Sequence, residues 1–431
     1  MHKCCERRFT LELLNVTIRN FRGIKDQNIE LKPGFNLIKG ENGKGKTSVL
    51  EAIAVGLGGF VAGLEGVSTR HFTSDEVRIE FFRVGDGSYG KKHFVPVEVT
   101  LKADLYGKEF QWTRGKSSIK ASRSTIQPRD ICRRAEIMAE NPKIELPVLA
   151  YLGAGRVWSQ KREKAENVFR KHYFRTVGYT DALTEASNTK LLMNWCVKME
   201  QISWQKEVKI AEYEAVKDTV ANFMNYMEES PDHKVFYDKQ EEQLMYQTNS
   251  ELLPIVQLSA GYQSLIWTVF DIAYRMAVLN PDKKERIAET KGVVLIDELD
   301  MHLHPRWQWN VIEALRKTFP NVQFIAATHA PILFASAKNV WLIDMNEESI
   351  QYEYSHYGID VNTSMTVYQG TKEIPKNVEK QVEKFCEKMD QEKYAEAEKI
   401  LNALENETAP THPLLTELRT RYEFETTDWE E

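Results

Sequence analysis

The 431-residue sequence predicts an α/β fold: a largely parallel sheet covered on both faces, with a small antiparallel β layer, a compact helical insertion and a helical C-terminal tail. Three observations carry this prediction. Short apolar runs rich in Val, Ile, Leu and Ala stand at 292–296 and 322–327, as in strands buried on both faces. A third run, 35–39, feeds a glycine loop that opens directly into an apolar helix. Residues 157–249, charged and helical in pattern, separate that run from the other two, so the sheet draws its strands from two distant stretches of chain.

Taken in order, 11–21 and 27–31 alternate as two strands joined by a turn at Arg22. The 35–39 strand ends in Gly40-Glu41-Asn42-Gly43-Lys44-Gly45-Lys46-Thr47-Ser48. Glycines at 40, 43 and 45 let successive backbone N–H groups turn inward, and the helix N-terminus behind them completes a cradle for polyphosphate oxygens. Asn42, Gly43, Lys44, Gly45 and Ser48 line the cradle, Lys46 is placed to reach the β- and γ-phosphates of ATP, and Thr47 to ligate Mg2+. Arg22 would lie beside the same nucleotide. A glycine-rich turn without ligand is the competing reading, and it leaves the flanking strand and helix unexplained.

Residues 56–75 are rich in glycine and read as a loop; 77–82, 93–105 and 110–113 read as the β layer. A basic stretch follows as a polar loop, then a helix over 130–140, then a buried strand at 146–151 that ends in Gly153-Ala154-Gly155-Arg156. Within 157–249, Leu191, Leu192, Trp195, Met199 and Ile202 repeat at helical spacing, a pattern that serves a core more often than an interface. Residues 252–258 read as a strand leading into Ser259-Ala260-Gly261, 265–279 and 307–319 as helices, and 340–344 as a further strand. The tail reads as a helical hairpin over 377–405 followed by a loop at 408–413. Its stripe of Val378, Val382, Phe385 and Met389 suits either a partner surface or the core of the chain's own α/β body. These patterns divide the chain into an N-terminal lobe at 1–156, a helical insertion at 157–250, a C-terminal lobe at 251–356 and an acidic tail at 357–431.

Asp297 and Glu298 close the 292–296 strand. Phosphoryl transfer to water needs such a pair: one carboxylate holds Mg2+ and the other orients or deprotonates the attacking water. Adjacent acids on a strand point to opposite sides, but at a terminus that begins to turn both face one site. His329 stands at the end of the 322–327 strand, where α/β sheets place ligand contacts, and an imidazole there suits the γ-phosphate or the water. Lys46, Glu298 and His329 are therefore the catalytic candidates, with Thr47 and Asp297 for the metal. His302 and His304 have H-x-H spacing without a third ligand, so they read as structural.

The order of these motifs, with Leu258-Ser259-Ala260-Gly261, Leu295-Ile296-Asp297-Glu298-Leu299-Asp300 and Thr328-His329-Ala330-Pro331 after a long insertion, resembles the ABC-type ATPases of the SMC/RecF/OLD branch. The stretch from Pro147 to Trp158 is similar to that of the Septu-type anti-phage defence ATPases and, more distantly, the PARIS-type ATPases. The resemblance implies an SMC-like P-loop ATPase head that pairs head to head, so that Ser259 and Gly261 of one copy contact the γ-phosphate held by Lys46 of the other, with Asp300 at the seam. It also implies a separate HNH-type nuclease effector governed by nucleotide state. Two positions depart from the family pattern: Ala260 stands where a second glycine is common, and no glutamine follows the Tyr151 strand.

Composition narrows the alternatives. Five cysteines, widely scattered apart from the adjacent Cys4 and Cys5 and without a C-x-x-C pair, read as reduced thiols, and the absence of a signal core or an apolar span predicts a cytoplasmic protein without a membrane segment. The net charge of -6 is concentrated at the end, where residues 371–431 carry 16 acids against 9 bases. Residues 112–134 are the opposite, with Arg114, Lys116, Lys120, Arg123, Arg129, Arg133 and Arg134 against Asp130. That surplus suits a DNA or other nucleic-acid backbone, or simply a solvated loop. It supports the alternative function, a stand-alone RecF-like repair or recombination ATPase. A transporter motor fits poorly with so long an insertion, and an intrinsic nuclease is not expected, because residues 330–431 carry neither a D-x-D cluster nor an H-N-H arrangement.

Overall fold

The computed structural model describes residues 11–85, 88–157, 174–185, 189–347, 349–369, 374–407 and 413–426. Trp158 of the 147–158 motif, parts of the insertion and most of the 408–413 loop lie outside them. The chain divides into two units, Met1–Ser364 and Met365–Glu431.

In the first unit β1 (Leu11–Phe21) and β2 (Ile24–Glu30) pair antiparallel, and β3 (Phe35–Lys39) enters the phosphate loop from which α1 (Lys46–Val61) emerges. A hairpin of β4 (Ile79–Arg83) and β5 (Tyr89–His93) precedes β6 (Val97–Leu105), β7 (Lys108–Lys116), β8 (Thr125–Gln127), α2 (Asp130–Glu140) and β9 (Val148–Leu152). Then come α3 (Thr189–Lys206), α4 (Ala211–Glu228), β10 (Lys234–Asp238), β11 (Gln243–Gln247), β12 (Leu252–Pro254) and α5 (Ala260–Leu279). The stretch that completes the sheet holds β13 (Gly292–Ile296), α6 (Pro305–Thr318), β14 (Val322–Ala327), α7 (Pro331–Ala335), β15 (Trp341–Asp344), β16 (Gln351–Tyr354) and α8 (Val361–Gln369).

Six strands form the central sheet in the order β16-β15-β3-β14-β13-β9, parallel except for β16. Its inner strands are buried along their length, which is why they read as apolar runs rather than alternations. The antiparallel sheet, β2-β1-β6-β7-β8, alternates instead: along β6 every second residue is buried. Helix α1 contacts strands of both sheets and is buried almost all round.

That double burial corrects the reading of 56–75 as a loop. Gly56, Gly58 and Gly59 continue α1 to Val61 because β6 and β7 approach it too closely for side chains. A Cβ at Gly59 would stand 2.5 Å from Trp112 Nε1, and one at Gly58 2.6 Å from Arg114 Nη1. The basic stretch is corrected by the same contact, since β7 runs to Lys116 and buries Trp112, Arg114 and Lys116. Arg114 donates to Thr69 Oγ1 and the Arg70 carbonyl, and burial draws its guanidinium down to about 10. Lys120, Arg123, Arg129 and Arg133 remain exposed.

The insertion is not all helix. β10 and β11 make a hairpin whose turn is fastened by Asp238 Oδ1, which accepts from the N–H groups of Gln240 and Glu241. The many charges around that turn mask the alternation of the strands. The strand expected over 252–258 is shortened to β12 and a 3-10 turn at Ile255–Gln257.

After the end of α8, which runs past Ser364, the described residues of the second unit form α9 (Lys376–Asp390), α10 (Tyr394–Glu407) and α11 (Pro413–Thr426). Phe385, Met389, Ala397, Leu401, Leu404, Leu415 and Leu418 form its core, with Val378 and Val382 packed against it. The stripe assigned to a partner surface or to the ATPase core is thus the tail's own core.

Candidate active site

β14 lies between β3 and β13, so the C-terminal ends of three adjacent parallel strands bring the glycine loop, His329 and the Asp297-Glu298 pair together. Gly43 and Gly45 adopt φ of +86° and +90°, left-handed values that turn the backbone around the loop. The loop is braced from beyond β15: Glu41 N–H donates to Asn346 Oδ1 and Lys44 Nζ to the Asn346 carbonyl, each at 2.8 Å. Asn42 and Gly43 are exposed at the tip, and Ser48 lies in the first turn of α1.

Lys46 is nearly buried, and its ammonium donates to the carbonyls of Gly40 (2.6 Å) and Glu41 (3.1 Å), with His329 Nδ1 3.5 Å away. Burial lowers its pKa, and the negative field of Asp297, Glu298 and Asp300 opposes that shift. The Thr47 hydroxyl donates to Asp297 Oδ2 at 2.8 Å. A hydroxyl and a carboxylate side by side are hard oxygen donors of the kind Mg2+ shares with phosphate oxygens, so the residues present fit that ion. Glu298 has φ of +44° and donates its N–H to Asp297 Oδ1 (3.1 Å): the strand does turn at its end, as two acids facing one site require.

Asp300 holds the next loop, accepting from the Thr328 hydroxyl and, at 3.3 Å, from the His329 N–H. It thereby fixes the backbone that presents the imidazole, a role that the sequence reading, which set it at a dimer seam, did not foresee. Arg22 Nη2 donates to Glu51 Oε1 at 2.7 Å, on the helix that Lys46 begins. Ser259 and Gly261 lie at the start of α5. Ser259 is exposed at the N-terminus of α5, and Gly261 packs beneath His302, whose carbonyl would be 2.7 Å from an added Cβ.

Sequence reading missed the cluster beside the site. Glu51, Arg70, Glu76 and Tyr151 are buried or nearly so; Arg70 donates to Glu76 at 2.7 Å and lies over the Tyr151 ring. Burial pushes Glu51 up to about 7 against the pull of Arg22 and Arg70, and raises the Tyr151 hydroxyl, which has no hydrogen-bond partner among the described residues. The available signal was a lone acid within the apolar run Val49 to Val55 of α1.

Family comparison agrees with this geometry. A model described as AAA domain matches residues 15–253, and a second, described as AAA domain, putative AbiEii toxin, Type IV TA system, matches residues 230–335. The Retron Ec83 probable ATPase of Escherichia coli is 25% identical, with 77% of this chain and 71% of that protein aligned. The Septu protein PtuA of Bacillus mycoides (strain KBAB4) is 26% identical over 74% of this chain and 38% of that protein. Among solved structures, the SmcHead bound to the C-winged helix domain of ScpA aligns over 82% of this chain and 99% of that chain at 16% identity and a TM-score of 0.48.

Proposed function

Because the chain belongs to the AAA-domain family, we propose that it is a Mg2+-dependent ATPase whose nucleotide state governs a separate nuclease in an anti-phage defence complex. The observation that carries the enzymatic part is the 2.8 Å hydrogen bond from Thr47 to Asp297, which joins the phosphate loop to the strand bearing the second acid. In this reading the backbone of Asn42 to Ser48 binds the phosphates, and the Lys46 ammonium exchanges its loop carbonyls for β- and γ-phosphate oxygens. Mg2+ held by Thr47 and Asp297 would supply charge neutralisation at those oxygens. Glu298 orients the attacking water and accepts its proton, while His329 hydrogen-bonds the γ-phosphate or that water. Arg22 supports the site through Glu51.

Ser259, exposed at the start of α5, is assigned with Gly261 to the ATP of a second copy, which makes the working unit a head-to-head pair. The similarity to Septu and retron proteins supports the defence role, and an HNH-type subunit is the proposed effector. The stand-alone DNA-repair reading rested on seven clustered bases, two of which are in the core.

The test is Glu298→Gln in the full chain. ATP binding should persist, turnover should fall by about 100-fold or more, and the ATP-bound protein should accumulate as a pair by light scattering. Wild-type turnover in the variant would remove Glu298 from its role and the mechanism with it.

A further inference from the structure

The β4–β5 hairpin takes no part in the site, and its two faces differ. On one face Phe82 lies against Gly90, where an added Cβ would stand 2.4 Å from the ring. Arg78 pairs with Glu80, and Arg78 and Lys92 lie 4.4 and 5.0 Å from the centre of the Phe94 ring. Phe82 stays 53% exposed, but on that face the cations are already taken up by Glu80 and the Phe94 ring.

On the other face Phe81 stands opposite Lys91, and Arg83 opposite Tyr89. All four are exposed, Phe81 at 68% and Tyr89 at 65%, and Arg83 and Lys91 have no hydrogen bond or ion pair among the described residues. Rings and cations therefore alternate as a checkerboard. Diagonal neighbours on such a ladder are about 7–8 Å apart, so neighbouring bases of an extended strand can each take a ring. The platform is anchored, since Arg78 N–H donates to the Asn20 carbonyl and Phe94 N–H to the Arg78 carbonyl, both at 2.9 Å. Across 78–94 the bases Arg78, Arg83, Lys91 and Lys92 outnumber the acids Glu80 and Asp86.

We propose that this face binds single-stranded nucleic acid, with bases stacked on Phe81 and Tyr89 and backbone phosphates held by Arg83 and Lys91. Ring faces select a single strand because a duplex hides the faces of its bases. The exposed bases Arg123, Arg129 and Arg133 offer charge without rings and lack this preference.

Fluorescence anisotropy on the full chain, with labelled oligothymidine of about 20 nucleotides and the same strand in duplex, tests the proposal. The single strand should bind more tightly. Phe81→Ala and Tyr89→Ala should each weaken binding by roughly 5- to 100-fold, and Phe81→Trp should retain it. Replacing Arg83 and Lys91 with Ala should reduce the slope of log affinity against log salt by about 1.4. ATP binding, measured alongside, reports that each variant is folded. Preference for the duplex, no binding, or wild-type affinity in both ring variants would overturn the proposal. So would a change in oligomeric mass with oligonucleotide binding intact, which would give the face to a protein.

Discussion

At its first turn α1 carries Lys46 and Thr47 into a glycine loop that is partly open, whereas three turns later the same helix is closed between β6 and β7 with no room for a side chain. The first end is specified by chemistry: which atoms face the phosphates, and at what distance from Asp297. The second is specified by volume alone. One helix thus transmits the position of the antiparallel sheet to the phosphate loop, and its two ends should fail differently when altered.

Lys46→Ala breaks the chemical end and has the largest expected effect. It removes a nearly buried cation whose loss costs no packing against the sheets, so thermal stability should hold while calorimetry finds ATP affinity reduced by at least about 100-fold. Retained affinity would contradict the cradle assignment. Gly59→Ala probes the other end. Alanine gains about 0.8–1 kcal/mol of helix propensity, but the new Cβ meets the rigid Trp112 indole, whose Nε1 donates to the Gly56 carbonyl at 2.8 Å. Overpacking together with loss of that bond should leave a net destabilisation of about 1–3 kcal/mol. At Gly56 the added methyl meets the buried Leu101 side chain at 2.7–2.8 Å but costs no hydrogen bond, so Gly56→Ala should destabilise as well, by less than Gly59→Ala. Denaturant melts in which neither variant is less stable than the wild type would show that volume does not specify this end.

This contrast also explains what the sequence disclosed. The cradle, the Asp297-Glu298 pair and the buried strands were legible because each is local: a glycine spacing, or an apolar run closed by acids. The continuation of α1 was not, because Gly56, Gly58 and Gly59 signal a break unless another element is known to press on them. Arg114 was counted with a charged surface because nothing local distinguishes it from Arg123, although one is sealed under α1 and the other exposed. Asn346 and Asp300 brace loops tens or hundreds of residues away in sequence, and no spacing announces such a contact.

The antiparallel sheet that fixes the closed end of α1 carries one unfavourable pair of its own, and it gives the smallest expected effect. Glu12 on β1 is directly opposite Asp104 on β6 and is 5% exposed. Burial first, and Asp104 second, push its carboxyl from 4.5 up to about 7. The native state therefore holds a proton that the unfolded chain releases, so this position favours folding least where the carboxylate must be charged. Its stability contribution is intact below about pH 4.5, falls as the pH rises towards 7, and is fully lost above that. Glu12→Gln keeps the shape of the protonated acid and cannot ionise. It should match the wild type near pH 5 and exceed it at pH 8 by about 1 kcal/mol, after part of the gain is offset by the hydrogen-bonding needs of a buried amide. Thermal melts of both proteins at the two pH values measure the difference directly. Equal stability at pH 8, or an equal loss at both pH values, would mean that Glu12 is charged and paired in the folded protein.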